Sequence, residues 1–304
     1  MTTLAAESDA ATEGALVPPS SPGPTRHRRR RPRFWVNAIA IVFSVIWIFP
    51  VYWMLNTAFK PRTEVLSPTP KFVPTHPTLH NFDVAMFHTS TDFFQSLLNS
   101  VVVVGVAIVV GLVLALFASA ALSRFRFRGR RTIMVLILVV QMLPGGALLI
   151  PQFLIFNQAH LLDQYAGLII AYIGAVLPFS IWVLRGFFVA IPVEVEEAAW
   201  MDGASTWRTL RSVMFPLVLP GVISTSIFGF ITAWNDYIVA YTFMKSTTHY
   251  TLPVWLVSFS TPNSGTDYGG QMAASVLFAL PVVVFFLIIQ RNLVQGMSAG
   301  AVKG

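Results

Sequence analysis

The chain has 304 residues with a mean hydropathy of +0.68, and only 11% of them are charged. Soluble domains carry about 25% charged residues, so a soluble globular domain is excluded; apolar runs long enough to cross a bilayer mark an integral membrane protein. No cysteine is present, which excludes disulfides, thiol catalysis and cysteine-based metal sites, and the net charge of +7 reflects membrane topology rather than nucleic-acid binding.

Residues 1–25 are rich in Ala, Ser, Thr, Pro and Gly and read as a disordered tail. The cluster RHRRRRPR, Arg26 to Arg33, abuts the first apolar run and reads as a topogenic anchor. That run is too long for a signal peptide and lacks a small-residue cleavage site, so it is expected to stay as a span. Hydropathy predicts six spans, at about 34–57, 97–122, 132–156, 164–188, 217–241 and 271–290. With the N-terminus cytoplasmic, sixteen of the twenty Lys and Arg lie inside, leaving only Lys60, Arg62, Lys71 and Lys245 outside. This bias predicts that both termini are cytoplasmic.

The first outer loop, about 58–96, is long and Pro-rich, and the third, about 242–270, carries Pro, Gly and Asn. Pro50, Pro144 with Gly145 and Gly146, Pro151, Pro178, Pro220 and Pro281 interrupt the spans. Such breaks are tolerated where helices bury one another or line a water-filled path, which suits a transporter or channel. The six histidines, His27, His76, His80, His88, His160 and His249, fall outside the spans and read as ordinary loop residues.

The longest inside connection, about 190–216, contains EVEEAAWMDGASTWRTLRSVMFP from Glu194 to Pro216. Pro192 suits a first helical turn, and Glu194, Glu196 and Glu197 favour the positive end of the macrodipole. Asp202-Gly203 reads as a break, after which Ser205 or Thr206 can cap a second helix with Trp207, Leu210 and Met214 on one stripe. Ala198, Ala199, Gly203 and Ala204 form a small-residue surface that another protein can approach closely, with Trp200, Trp207 and arginines as contacts. Acid/base chemistry lacks a companion His, and three acids on an exposed short helix make a poor metal cage. No metal site is expected.

The order Glu197-Ala198-Ala199, Gly203 and then VMFP at Val213 to Pro216 resembles the signature loop of ABC importer permeases. Val213 and Phe215 stand where that family usually has Ile and Leu. LNSVVVV at 98–104, SRFRFRGR at 123–130, IPQF at 150–153, AWNDYIVA at 233–240 and the ending AGAVKG resemble the maltose-type carbohydrate class of these permeases. The resemblance runs in order from about residue 34 to the end. It implies an all-α, six-span type I ABC importer permease in a bacterial cell membrane, with a tail at 1–33 and a permease domain at 34–304. It also implies a second, homologous permease subunit, two cytoplasmic ATPase subunits and an extracytoplasmic sugar-binding protein. ATP and Mg would be held by the ATPase partners, with no cofactor in this chain. By the same resemblance Glu197, Ala198, Ala199 and Gly203, with Asp202 between them, lie on a coupling helix that seats in the ATPase, and the tail Gly296 to Gly304 reaches the ATPase dimer. Independently of the resemblance, the chain contains no G-x-x-x-x-G-K-[ST] phosphate loop and must borrow its energy source.

Polar residues within the spans are candidates for the translocation path: Gln141, Gln152, Asn235, Asp236 and Gln271. Asp236 is placed late in the fifth span, either functional or at an outer interface with Trp234 and Tyr237; each Gln has helix-to-helix hydrogen bonding as its plainer role. Two rival functions stay open. One is an ion-coupled secondary transporter or channel using Asp236. The other is a membrane enzyme using Glu194, Glu196, Glu197 and Asp202.

Overall fold

The computed structural model describes residues 34–87, 91–261 and 265–300. The tail at 1–33 with its basic cluster, His27, His88 and the last four residues of the chain lie outside the described residues. What is described falls into two units, 34–48 and 49–300. The first is the leading part of α1 (Phe34–Ala58), an apolar helical stretch whose side chains are almost all exposed.

The second unit continues α1 and adds α2 (Arg62–Val65), α3 (His80–Phe87), α4 (Phe93–Arg124), α5 (Arg130–Met142), α6 (Gly145–Gln158) and α7 (Tyr165–Ala190). Then follow α8 (Val193–Met201), α9 (Thr206–Thr209), a π turn at Leu210–Met214, α10 (Phe215–Trp234) and α11 (Ile238–Phe243). A short 3-10 turn, α12 (Leu252–Val257), a hairpin of β1 (Ser260–Thr261) with β2 (Gly265–Thr266), and α13 (Tyr268–Gly300) complete the described residues. Among the described residues five helical stretches are long and apolar enough to cross a membrane, and α5 with α6 makes a sixth if that bent pair is one span.

Two predicted spans differ in detail. The run at 132–156 is not one rod, because α5 and α6 meet at 103°. Pro144 disfavours the α conformation of the residue before it, and Leu143 is extended, with ψ 131°. The run at 217–241 stops at Trp234, and a new helix starts at Ile238. Asp236 therefore stands in a helix break rather than inside a span, and its carboxylate accepts from Ala240 N at 3.0 Å and Val239 N at 3.4 Å.

Each long helix follows from local chemistry. Asp92 caps α4 by accepting from Gln95 N at 3.0 Å, and the helix ends where Phe125 turns extended. α4 packs chiefly on α7, and α10 lies against both. Their shared core holds Val103, Ala107, Leu168, Tyr172, Phe230 and Trp234, joined by Ala273 and Ala274 of α13. A separate apolar cluster, Leu116, Ala120, Phe188, Ile191, Met214 and Val218, closes the end nearest α8. Large apolar side chains elsewhere are exposed, which costs nothing against hydrocarbon.

At the opposite end, polar groups tie the loop after α11 to the bundle. Asp163 accepts from Lys245 N at 2.9 Å, Ser246 N at 3.0 Å and the Ser246 hydroxyl, with His249 Nδ1 at 3.1 Å. Burial alone would raise the Asp163 pKa, but hydrogen bonds from Ser246, Lys245 and His249 together outweigh it and hold the carboxyl well below its usual range. Asn99 of α4 donates to Thr248 O at 2.8 Å and Tyr250 O at 2.9 Å, extending the same clasp.

Because the folded pKa is depressed, the stabilisation from Asp163 is full above its unfolded value of about 4 and disappears only as pH falls through the lower folded value. Hydrogen exchange at Lys245 and Ser246 should thus be protected unchanged from pH 8 to 5 once corrected for intrinsic rates, and Asp163→Ala should abolish that protection at every pH. A second prediction concerns Gly167, where an added Cβ would lie 2.1 Å from the Leu161 carbonyl oxygen. Gly167→Ala should destabilise by about 1–3 kcal/mol in thermal unfolding in detergent. Gly105→Ala, where a Cβ meets nothing within 4 Å, should leave the transition in place.

Candidate functional site

The connection between α7 and α10 is the first of two candidate regions. Pro192 occupies the cap position of α8 with ψ 140°, one residue before the first turn, and Glu194 and Glu196 fall in that turn. At the other end Ala204 N donates to Ala199 O at 3.0 Å and Gly203 N to Trp200 O at 3.0 Å, while Gly203 has φ +78°. This crossed pair with a left-handed residue is a Schellman stop, and it gives Gly203 a backbone reason to be glycine besides its small size. Ser205 caps α9 by accepting from Arg208 N at 3.3 Å, and the π turn carries the chain on into α10. Trp207 stacks on Phe117 at 6.0 Å, and Met214 of the same stripe is buried.

The outward face of this loop bears Glu197, Ala198, Trp200, Met201, Asp202 and Gly203, all exposed, with Ala199 half-buried. Met201, 88% exposed, gives a charged turn a distinctly apolar summit. Glu196 behaves otherwise. It is buried and forms an ion pair with Arg124 at the end of α4. Glu194, Glu197 and Asp202 point to solvent, so the acids do not converge. Among the described residues no three His, Asp or Glu side chains gather as a metal site would require.

The second region is a cavity of about 630 Å³ between the α5–α6 bend, α7 and the α10–α11 break. Its lining includes Gln141, Gly145, Gly146, Gln152, Tyr172, Pro178, Thr232 and Asp236. Tyr172 donates its hydroxyl to Asp236 Oδ2 at 3.0 Å. Of the path candidates, Gln141, Gln152 and Asp236 meet here. Asn235 does not line the cavity; its amide donates back to Ile231 O at 2.8 Å. Gln271 also lies elsewhere, in the first turn of α13, where its N–H donates to Asp267 O at 2.8 Å.

Sequence reasoning missed Tyr172 as a cavity residue and Arg124 as the partner of Glu196. Both are distant in sequence from what they touch, and a tyrosine within an apolar helix or an arginine at a helix end is unremarkable on its own.

A model of the family described as binding-protein-dependent transport system inner membrane component matches residues 107–299. The chain belongs to this family. It is thus a multi-pass membrane permease component, and both candidate regions lie inside the matched segment. It is 43% identical over 273 residues to the diacetylchitobiose uptake system permease protein DasC of Streptomyces coelicolor, covering 90% of this chain and 98% of that one. The trehalose transport system permease protein SugB of Mycobacterium tuberculosis is 33% identical, over 90% of this chain and 99% of SugB. The galactooligosaccharides transport system permease protein GanQ of Bacillus subtilis is 30% identical, over 91% and 98%. The fold is also that of a solved bacterial ABC transporter involved in alginate import, with a TM-score of 0.74 and 24% identity over 85% of this chain and 95% of that one.

The geometry at Asp236 predicts a role in holding the helix break. Asp236→Ala removes the acceptor for Tyr172 and for the first amides of α11, and should cost about 1–3 kcal/mol in thermal unfolding. Asp236→Asn keeps an acceptor and should cost less. Wild-type stability in Asp236→Ala would contradict the cap.

Proposed function

We propose that the chain is the membrane-spanning subunit of an ATP-driven importer for a sugar or related polyol. The observation that carries this reading is the helix–turn–helix at 190–216, in which small residues, Trp200 and Met201 form an exposed face without converging acids. In this reading Glu197, Ala198, Ala199, Asp202 and Gly203 seat in a cytoplasmic ATPase subunit, one of two, which binds the ATP and Mg that this chain has no phosphate loop to hold. Both termini are cytoplasmic, in keeping with the distribution of Lys and Arg. A second permease subunit supplies the rest of the path, and an extracytoplasmic binding protein delivers the solute.

The sugar assignment draws on relatives named for diacetylchitobiose, trehalose and galactooligosaccharides. Gln141, Gln152, Thr232 and Asp236 give the cavity donors and acceptors suited to hydroxyl groups, beside apolar walls. Asn235 and Gln271 belong to the path only outside this cavity. Ion coupling through Asp236 is disfavoured, because Tyr172 and the amides of Val239 and Ala240 already engage its carboxylate.

The test is uptake of diacetylchitobiose, trehalose and galactooligosaccharides by vesicles carrying the complete transporter with its binding protein. Uptake of at least one should need both ATP and the binding protein. Gradient-driven uptake by this chain alone would overturn the reading. Gly203→Asp should insert at wild-type level yet lose at least tenfold of the uptake, with the ATPase subunits no longer co-purifying. Gly203→Asn, which tolerates the left-handed conformation without adding charge, should lose less.

A further inference from the structure

Glu196 sits among exposed neighbours on α8, yet only 5% of it is accessible. Its Oε1 meets Nε of Arg124, with 7% and 18% of the two side chains exposed. Neither of these two atoms has a hydrogen-bond partner elsewhere in the described residues, so at this contact they answer only one another. The same guanidinium reaches a third element: Arg124 Nη2 donates to the carbonyl of Ile191 at 3.0 Å, at the corner where α7 ends and Pro192 begins α8. One side chain thereby fastens the end of α4, the end of α7 and the start of α8.

The surroundings of this joint are apolar. Phe188, Ile191, Leu116 and Ala120 pack beneath it, with Val195 of α8 against them. Slightly further into the bundle, Arg185 Nε donates to Leu122 O at 3.4 Å, a second stitch from α7 to α4. The neighbouring Arg126, Arg128 and Arg131 are exposed and take part in no ion pair among the described residues. Arg124, like Arg130, is partly buried; what singles it out in this segment is its ion pair with the buried Glu196. Exposed ion pairs hold geometry weakly, whereas a buried one leaves a bare charge when either member is lost.

We propose that the Arg124–Glu196 pair is a strut that transmits displacement of the docking loop to α4 and α7, resting on the reading that α8 docks the ATPase. Glu196 faces inward while Glu197, Ala198 and Gly203 face out, so α8 is a two-sided plate: one side receives the partner and the other drives the bundle. The route has an end point, because α7 carries Tyr172, Gly174 and Pro178 into the cavity wall. Arg124 and Glu196 are positioning residues; neither belongs to the docking face.

The experiment uses the tagged chain assembled with its partner permease and ATPase subunits, comparing wild type, Arg124→Gln, Glu196→Gln and the exchange of both (Arg124→Glu with Glu196→Arg). Three readouts are taken: retention of ATPase subunits, stimulation of ATP hydrolysis by solute-loaded binding protein, and hydrogen exchange across 193–201. Each single variant should retain the ATPase but lose stimulation at least fivefold, with faster exchange in α8 and unchanged exchange in α4. The exchanged pair restores the ion pair but not the donor to the Ile191 carbonyl, so it should recover both in part, above either single variant, which a loss of packing alone would not do. Wild-type stimulation and exchange in the single variants would overturn the strut, as would an exchanged pair that assembles and stays uncoupled. If the single variants do not accumulate, the exchanged pair decides by the same criterion. Failure of the wild-type chain to retain ATPase subunits would instead sink the docking reading, and the exchange measurement would still decide whether the pair holds α8.

Discussion

A backbone amide or carbonyl inside a bilayer has no water to bond, so each interruption of a spanning helix must be answered within the protein. Much of this molecule's architecture follows from where it interrupts its helices and how it answers. At Leu143-Pro144 the chain turns through 103°, and at Asn235-Asp236 another helix stops and restarts. The second break is capped by the Asp236 carboxylate, which Tyr172 steadies from α7. Both breaks border one cavity. Two breaks in candidate spans thus bring irregular backbone to the wall of a single cavity.

The far end of the bundle is constrained differently. There the chain leaves the apolar core through a short plate, α8, whose stop is written in backbone geometry at Gly203 and whose inner side is pinned by one buried charge. Cavity and plate are joined by α7, whose successive turns reach Tyr172 and Pro178 at one end and Phe188 and Ile191 at the other. A displacement of the plate and a change of the cavity are therefore mechanically adjacent, although their residues lie at opposite ends of a helix of 26 residues.

Much of this was legible in the residues alone. Long apolar runs located most of the spans, although those expected at 132–156 and 217–241 are bent or cut short, and Pro144 with its two glycines was readable as a break. The loop order Glu197-Ala198-Ala199 and Gly203 pointed to its family by its resemblance to the signature loop. Asp202-Gly203 was readable as a helix stop, with Ser205 or Thr206 as the next cap, and Ser205 is the one that caps. Other features were not legible because they depend on contacts between distant segments. Glu196 looked like one more helix-start acid beside Glu194, and only the approach of α4 makes it a buried ion. Asp236 read equally as a path residue or an interfacial one; the structure gives it a cap and a tyrosine. Tyr172 carried no signal, since a tyrosine in an apolar helix can face lipid, core or cavity.

In the proposed function, the 190–216 loop is where a partner ATPase meets this chain. With no native cysteine, single thiols can be placed at will. Ala198→Cys, on the exposed side of α8, should be protected from a hydrophilic thiol reagent in the assembled transporter. It should also cross-link to an ATPase subunit with a short bifunctional maleimide, whereas Leu98→Cys, exposed on α4 far from the loop in sequence, should not. Free labelling of Ala198→Cys in an intact, active transporter, with no cross-link to the ATPase, would contradict the account.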